Sequence, residues 1–140
     1  MGRVDGKVAI ITGGAGGIGD ATARLLAEQG AKVIITDLNQ DTGEALAAEI
    51  GAEFVAQDVT DQNMQRAMLG FGAGIEGDML NGAAENVSYD DWKRVHAINL
   101  DGTFLGCQAA MPAMRRAGGG SIINISSIIA FMASPNSAAY

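Results

Sequence analysis

Apolar residues along this chain follow two rhythms. Short unbroken runs rich in β-branched residues, Val8-Ala9-Ile10-Ile11 and Val33-Ile34-Ile35, predict strands buried on both faces, as in parallel sheets covered by helices. Between them Ala21, Leu25, Leu26 and Ala27 recur at helical spacing up to Gly30, a helix stop. Strand, helix and strand in that order make a βαβ unit. A second unit follows, with a helix from about Gln40 to Ile50, a stop at Gly51 and a short strand from Glu53 to Ala56.

Beyond Asp61 the pattern thins. Asp61 to Phe71 is compatible with a helix, four glycines follow it (Gly70, Gly72, Gly74 and Gly77), and Met79-Leu80 hints at a fourth strand. Ser88, with Asp91 three residues on, has the form of a helix-capping pair. Trp92, Val95, Ile98, Leu100 and Phe104 then predict a long helix to about Arg116, bent at Pro112. Gly118-Gly119-Gly120 ends it, and Ser121 to Ser127, carrying Ile122, Ile123 and Ile125, reads as another buried strand. The chain shows no internal repeat and no low-complexity tail.

Composition narrows the function classes. The 140 residues are 48% hydrophobic and 18% charged, enough for one domain whose core needs neither metal nor disulfide. Cys107 is the single cysteine and His96 the single histidine, so no intrachain bridge and no metal site is expected, and a reducing cytoplasm is the expected compartment. Sixteen acidic against nine basic residues give a net charge of −7, which repels nucleic acids and anionic lipid surfaces. No apolar run approaches the ~18–20 residues that span a bilayer, and Met1 to Gly6 lacks the basic start of a signal peptide. Neither nucleic acid nor membrane is an expected partner.

The chemistry-bearing segment is Thr12-Gly13-Gly14-Ala15-Gly16-Gly17-Ile18-Gly19, which lies between a predicted strand and a predicted helix. There glycine permits a tight turn, close approach of a pyrophosphate to the backbone, and close helix packing, while the helix start offers N–H groups to phosphate. Gly14, Gly16 and Gly19 satisfy one dinucleotide-binding spacing, and Gly13, Gly17 and Gly19 satisfy another. No Lys-Ser or Lys-Thr follows, which excludes a P-loop. Asp37 ends the second strand, where a carboxylate accepts hydrogen bonds from adenosine ribose hydroxyls and repels a 2′-phosphate. With no Lys or Arg among Gly14 to Gly16 or Leu38 to Asp41, NAD is favoured over NADP.

In this order the residues resemble the short-chain dehydrogenase/reductase family: Thr12-Gly13-x-x-x-Gly17-Ile18-Gly19, then Asp58-Val59, then Asn99 in the long helix, then Ser127 thirteen residues before Tyr140. The resemblance covers about Lys7 to Tyr140 and selects the Gly13/Gly17/Gly19 spacing. It implies that Gly13, Gly17, Ile18 and Gly19 face the pyrophosphate, Asp37 and Leu38 the ribose, and Asp58 and Val59 the adenine. Asn99 would hold a water of a proton relay, Ser127 would donate to the substrate oxygen, and Tyr140 would transfer the proton. Asn81, in Asn81-Gly82-Ala83-Ala84, matches the family's Asn-Asn-Ala-Gly segment. A phenol titrates near ~10 and needs cationic neighbours to serve near neutrality, and in the family one of them is a lysine four residues after the tyrosine. Here the sequence stops at Tyr140. The resemblance also implies that residues are missing near Gly70 to Asp78, near Ala84 to Asn86 and after Tyr140.

The expected fold class is thus α/β, a doubly wound parallel sheet of Rossmann-like form in three α/β/α layers, with strand order 3-2-1-4-5 and right-handed crossovers. Residues 1–140 are read as one NAD-binding domain, incomplete at its C-terminal end. The implied activity is hydride transfer between NAD and a secondary alcohol or ketone, in a protein that is a dimer or tetramer when complete. The alternative is an adenine-dinucleotide-binding module without turnover, because the lysine after Tyr140 is absent. A scaffold domain would leave the glycine loop and Asp37 without purpose. His96 and the methionines read as packing residues, and Arg115-Arg116 as cations that complement a helix C-terminus.

Overall fold

The computed structural model describes residues 2–61, 83–132 and 134–140. Three strands, β1 (Val8–Thr12), β2 (Lys32–Asp37) and β3 (Glu53–Ala56), form a parallel sheet in the order β3-β2-β1. Ile10 pairs with Ile34, Thr12 with Thr36, and Asp37 with Ala56, so the strand ends line up at one edge of the sheet. The crossovers are α1 (Gly17–Glu28) and α2 (Gln40–Ile50), whose bounds fall where local sequence predicts them. Asn39 caps α2 by accepting the Thr42 N–H at 3.2 Å, and Gly51 ends it in the left-handed region at φ 70°.

Alternation along the strands sets what each face meets. Ile11, Val33 and Ile35 pack with Ala23 of α1 and with Leu46 and Ala47 of α2, and Leu26, Ile50 and Phe54 close around them. Ile10 and Ile34, on the opposite face, are buried as well. Expectation and structure part at the margins of the sheet, where Val8 is 51% exposed and most of β3 is open to solvent. An exposed Arg24 clamps the two crossovers by reaching Asp20 on its own helix and both carboxylate oxygens of Glu49 on α2.

The long helix is composite. A 3-10 turn over Ala84–Asn86 leads into α3 (Tyr89–His96), a π-helical turn follows over Ala97–Asp101, and α4 (Gly102–Arg116) continues through Pro112. Ser88 caps α3, accepting the Asp91 N–H at 3.0 Å and donating its hydroxyl to Asp91 Oδ2 at 2.7 Å, as the sequence predicts. Val95 is the buried anchor of α3.

Residues 121–127 correct the sequence reading. They form no strand, and Ile123 and Ile125 are 68% and 59% exposed. The reason is the lack of a partner: a strand exists through ladder hydrogen bonds to a neighbour about 4.8 Å away, and among the described residues none lies beside this segment. Both it and β1 instead line one cavity of about 1480 Å³, flanked by α1 and by Ala113, Met114 and Ala117 of α4. The expected helix from Asp61 to Phe71, the strand at Met79-Leu80 and the expected omission near Gly70 to Asp78 concern positions outside the described residues, apart from Asp61 itself. Among the described residues no helix is long and apolar enough to cross a membrane, and no group of His, Cys, Asp and Glu could hold a metal.

Candidate functional site

The glycine loop leaves the end of β1 and turns directly into α1. Gly13 and Gly17 have φ of 62° and 50°, a region that costs an ordinary L-residue roughly 1–2 kcal/mol. Gly19 is required by proximity: a Cβ there would lie 2.1 Å from the Gly13 carbonyl oxygen and 2.8 Å from Gly14 Cα. At Gly16 and Gly17 a Cβ would meet nothing within 4 Å, so the protein itself leaves that space open in front of the loop. Gly16 is the N-cap of α1 and carries no side chain that could satisfy the first-turn amides. The N–H groups of Gly17 and Ile18 have no acceptor within the helix and bear its positive pole. Open space and unsatisfied donors together fit an anionic, phosphate-bearing group.

The end of β2 holds this loop in place. Gly14 N–H donates to the Thr36 carbonyl at 3.1 Å, and Ala15 N–H donates to Asp37 Oδ2 at 2.9 Å in a buried position. Asp37 Oδ1 accepts the Asn39 N–H at 2.8 Å, and the Asp37 carbonyl accepts the Gln57 N–H at 3.0 Å. Asp37 is 8% exposed, whereas the next residue, Leu38, is 72% exposed. Asp58, past β3, folds its own turn: Thr60 donates its N–H and its hydroxyl to Oδ1 at 2.8 and 2.7 Å. Val59 packs against α4, its Cγ2 only 3.1 Å from where a Cβ on Gly102 would stand.

Thr12, Gly13, Gly17, Ile18 and Gly19 line the cavity beside β1, and so do Ser127 and Tyr140. The structure thus draws residues from the two ends of the chain to one space. Ser127 Oγ accepts the Ile129 N–H at 3.3 Å, which leaves its own proton available to a ligand. Tyr140 N–H is anchored on the Ser137 carbonyl at 3.3 Å. Asn99 lies in the π-helical turn rather than in regular α-helix, and its carbonyl accepts the Thr103 hydroxyl at 2.7 Å. Asp37, Leu38, Asp58, Val59 and Asn99 do not line this cavity; Asp37 is joined to it through Ala15. Asn81 lies outside the described residues.

Gly16 and Ser126 also line the cavity, although neither belongs to the site residues drawn from sequence. Gly16 was detectable, since it belongs to the alternative glycine spacing. Thr12 Oγ1, Thr36 Oγ1 and Gln57 Oε1 are buried without hydrogen-bond partners. All three belong to the strand ends beneath the loop, and no sequence pattern marks them.

Comparison with known proteins gives a consistent result. The chain is 43% identical to trans-4-hydroxycyclohexanecarboxylate dehydrogenase of Sinomonas cyclohexanicum, over 99% of this chain and 61% of that protein. It is 41% identical to D-threitol dehydrogenase of Mycolicibacterium smegmatis, over 99% and 59%, and 36% identical to cyclopentanol dehydrogenase of Comamonas testosteroni, over 100% and 62%. The first alignment runs over 161 positions against a chain of 140 residues, so that relative carries residues inside the matched span that this chain lacks. A solved short chain dehydrogenase/reductase family protein superposes with a TM-score of 0.92 at 30% identity, over 99% of this chain and 62% of its own. The chain spans about three fifths of the length of these relatives. With the short chain dehydrogenase family model matching residues 7–140, and with the glycine loop and parallel sheet in their expected places, the chain belongs to the short-chain dehydrogenase/reductase family.

Proposed function

We propose that this chain is the cofactor-binding part of an NAD-dependent oxidoreductase that interconverts a secondary alcohol and its ketone, residues 1–140 forming one dinucleotide-binding domain. The observation that carries the reading is the convergence of the glycine loop, Ser127 and Tyr140 on one cavity. Relatives named for trans-4-hydroxycyclohexanecarboxylate and cyclopentanol support a cyclic or otherwise secondary alcohol as the substrate class.

Bound NAD would supply the hydride acceptor, and NADH the donor. The amides of Gly17 and Ile18 and the open faces of Gly13, Gly16 and Gly17 hold the pyrophosphate, while Gly19 keeps α1 close to the loop. Asp37 has one donor on each oxygen, which leaves further lone pairs for ribose hydroxyls. That buried anion disfavours a 2′-phosphate, hence NAD over NADP. Asp58 uses Oδ1 for Thr60 and keeps Oδ2 for the adenine amine, with Leu38 and Val59 as apolar walls and Asn81 closing the site.

In the oxidation direction Ser127 donates its hydroxyl proton in a hydrogen bond to the substrate oxygen. As the hydride leaves carbon, Tyr140 accepts the oxygen-bound proton, and in reduction it returns it. Asn99 supports a water through which that proton reaches solvent. A dimer or tetramer belongs to the same proposal, supported by Trp92, Leu100 and Phe104, which leave 42–62% of their surface exposed along one helical run. So does a cytoplasmic location, supported by the lone Cys107 and the acidic charge.

The test is NADH formation from a panel of secondary alcohols, on this chain and on one extended to place a lysine four residues after Tyr140. Tyr140→Phe in the active form should abolish turnover and leave NAD affinity intact. Substantial residual turnover would remove Tyr140 from its role. Binding of NAD without turnover by either chain would favour a binding module, and no affinity for NAD or NADP would overturn the whole reading.

A further inference from the structure

We propose that Asp37 is a positioning residue for the phosphate site as well as a ribose ligand: its carboxylate holds the glycine loop in its anion-accepting form before any ligand arrives. The inference rests on the dinucleotide reading above and deepens it. Ala15 sits in the middle of the loop, with Gly16 and Gly17 next to it, and its N–H points to Asp37 Oδ2 at 2.9 Å in a buried position. The second oxygen is fixed by the Asn39 N–H at 2.8 Å, so the carboxylate cannot rotate without giving up a hydrogen bond. Asp37 is itself held by the β2–β3 pairing and by the Gln57 N–H on its carbonyl.

The alternative anchors are weak. Gly16 and Gly17 touch nothing with their Cα faces, and the loop contains no side chain larger than that of Ala15 between Thr12 and Ile18. A run this rich in glycine has more conformational freedom to lose than any other. Backbone bonding of Gly14 to Thr36 fixes where the loop leaves the sheet, and the Asp37 bond fixes the next peptide, from which Gly16 and the start of α1 follow. A buried hydrogen bond to an ionised acceptor is among the stronger ones in a protein. The ordering is therefore complete before binding, which spares the ligand that entropic cost.

A ribose contact alone and a loop anchor make opposite predictions for a probe that has no ribose. Removing a negative charge beside an anion site should tighten pyrophosphate binding, whereas removing the anchor should weaken it. In Asp37→Ala the Ala15 amide of the ligand-free chain should exchange with solvent at least tenfold faster, while the Gly14 amide, held by Thr36, should change far less. Inorganic pyrophosphate affinity, measured by calorimetry, should fall several-fold in this variant despite the lost repulsion. Asp37→Asn, which keeps one oxygen acceptor, should restore part of it.

Equal change at Ala15 and Gly14, no change at Ala15, or pyrophosphate binding as tight as or tighter than wild type would overturn the proposal. Asp37→Ser replaces the alanine variant if that one fails to fold. Should the wild-type chain bind no pyrophosphate, the dinucleotide reading fails, and the exchange ratio still decides the anchor by itself.

Discussion

Gly19→Ala pits two opposing effects against each other at one position. Gly19 lies inside α1, where alanine is preferred over glycine by about 0.8–1 kcal/mol, so helix propensity alone predicts a more stable protein. Sterics predict the reverse. The new Cβ would stand 2.1 Å from the Gly13 carbonyl oxygen and 2.8 Å from both Gly13 C and Gly14 Cα. All three are backbone atoms, so relief requires the loop and the helix start to separate by about 1 Å rather than a side chain to turn away. Overpacking of this kind costs roughly 1–3 kcal/mol, and the obstruction here is main chain, which favours the upper part of that range. Net of the propensity gain, the loss should be about 1–2 kcal/mol, or a fall in Tm of about 4–8 °C for a domain of this size. Because the separating groups are the ones that face the phosphates, dinucleotide affinity should fall by about tenfold or more. Thermal unfolding followed by circular dichroism and a fluorescence titration with NADH measure both. A Tm equal to or above that of the wild type would refute the close-approach argument.

Ser88→Ala removes the α3 N-cap and should cost about 1 kcal/mol, or roughly 3–5 °C in Tm; an unchanged Tm would mean that the cap contributes nothing. The same change deprives Asp91 of the Ser88 hydroxyl, the main cause that holds its carboxyl below the usual range, so NMR titration should show the Asp91 pKa moving upward. Glu49 is likewise held below the usual carboxylate range, first by its hydrogen bond to Arg24 and then by the charge of that guanidinium. A lowered folded-state pKa adds stability that is complete above the unfolded value of ~4.3 and is lost as pH falls through the folded one. Glu49→Gln should therefore lower Tm at neutral pH by a small amount, since the pair is exposed, and the difference should close in melts taken at increasingly acidic pH. A difference that widened in acid would contradict the Arg24–Glu49 clamp.

How much of this protein was legible in its sequence follows from the range of the forces involved. The strands at Val33 to Ile35 and Glu53 to Ala56, the helix from Gln40 to Ile50, its stop at Gly51 and the Ser88 cap depend on periodicity and on hydrogen bonds within a few residues. Those features could be read directly, and so could the strand-loop-helix setting of the glycines. The π-helical turn at Asn99 was not legible, because Val95, Ile98 and Leu100 keep a helical period whether the backbone closes by i−4 or by i−5 hydrogen bonds.

Local sequence thus determined the βαβ units and placed a phosphate-accepting loop at the start of a helix, since backbone dihedrals and apolar periods act along the chain. Tertiary structure alone decided three things. It left residues 121–127 without a ladder partner among the described residues, it brought Ser127 and Tyr140 to the cavity of a loop more than a hundred residues earlier in the chain, and it joined Asp37 to Ala15. Each of these joins segments far apart in sequence, and only the packing of strands and helices in space determines which distant donor meets which acceptor.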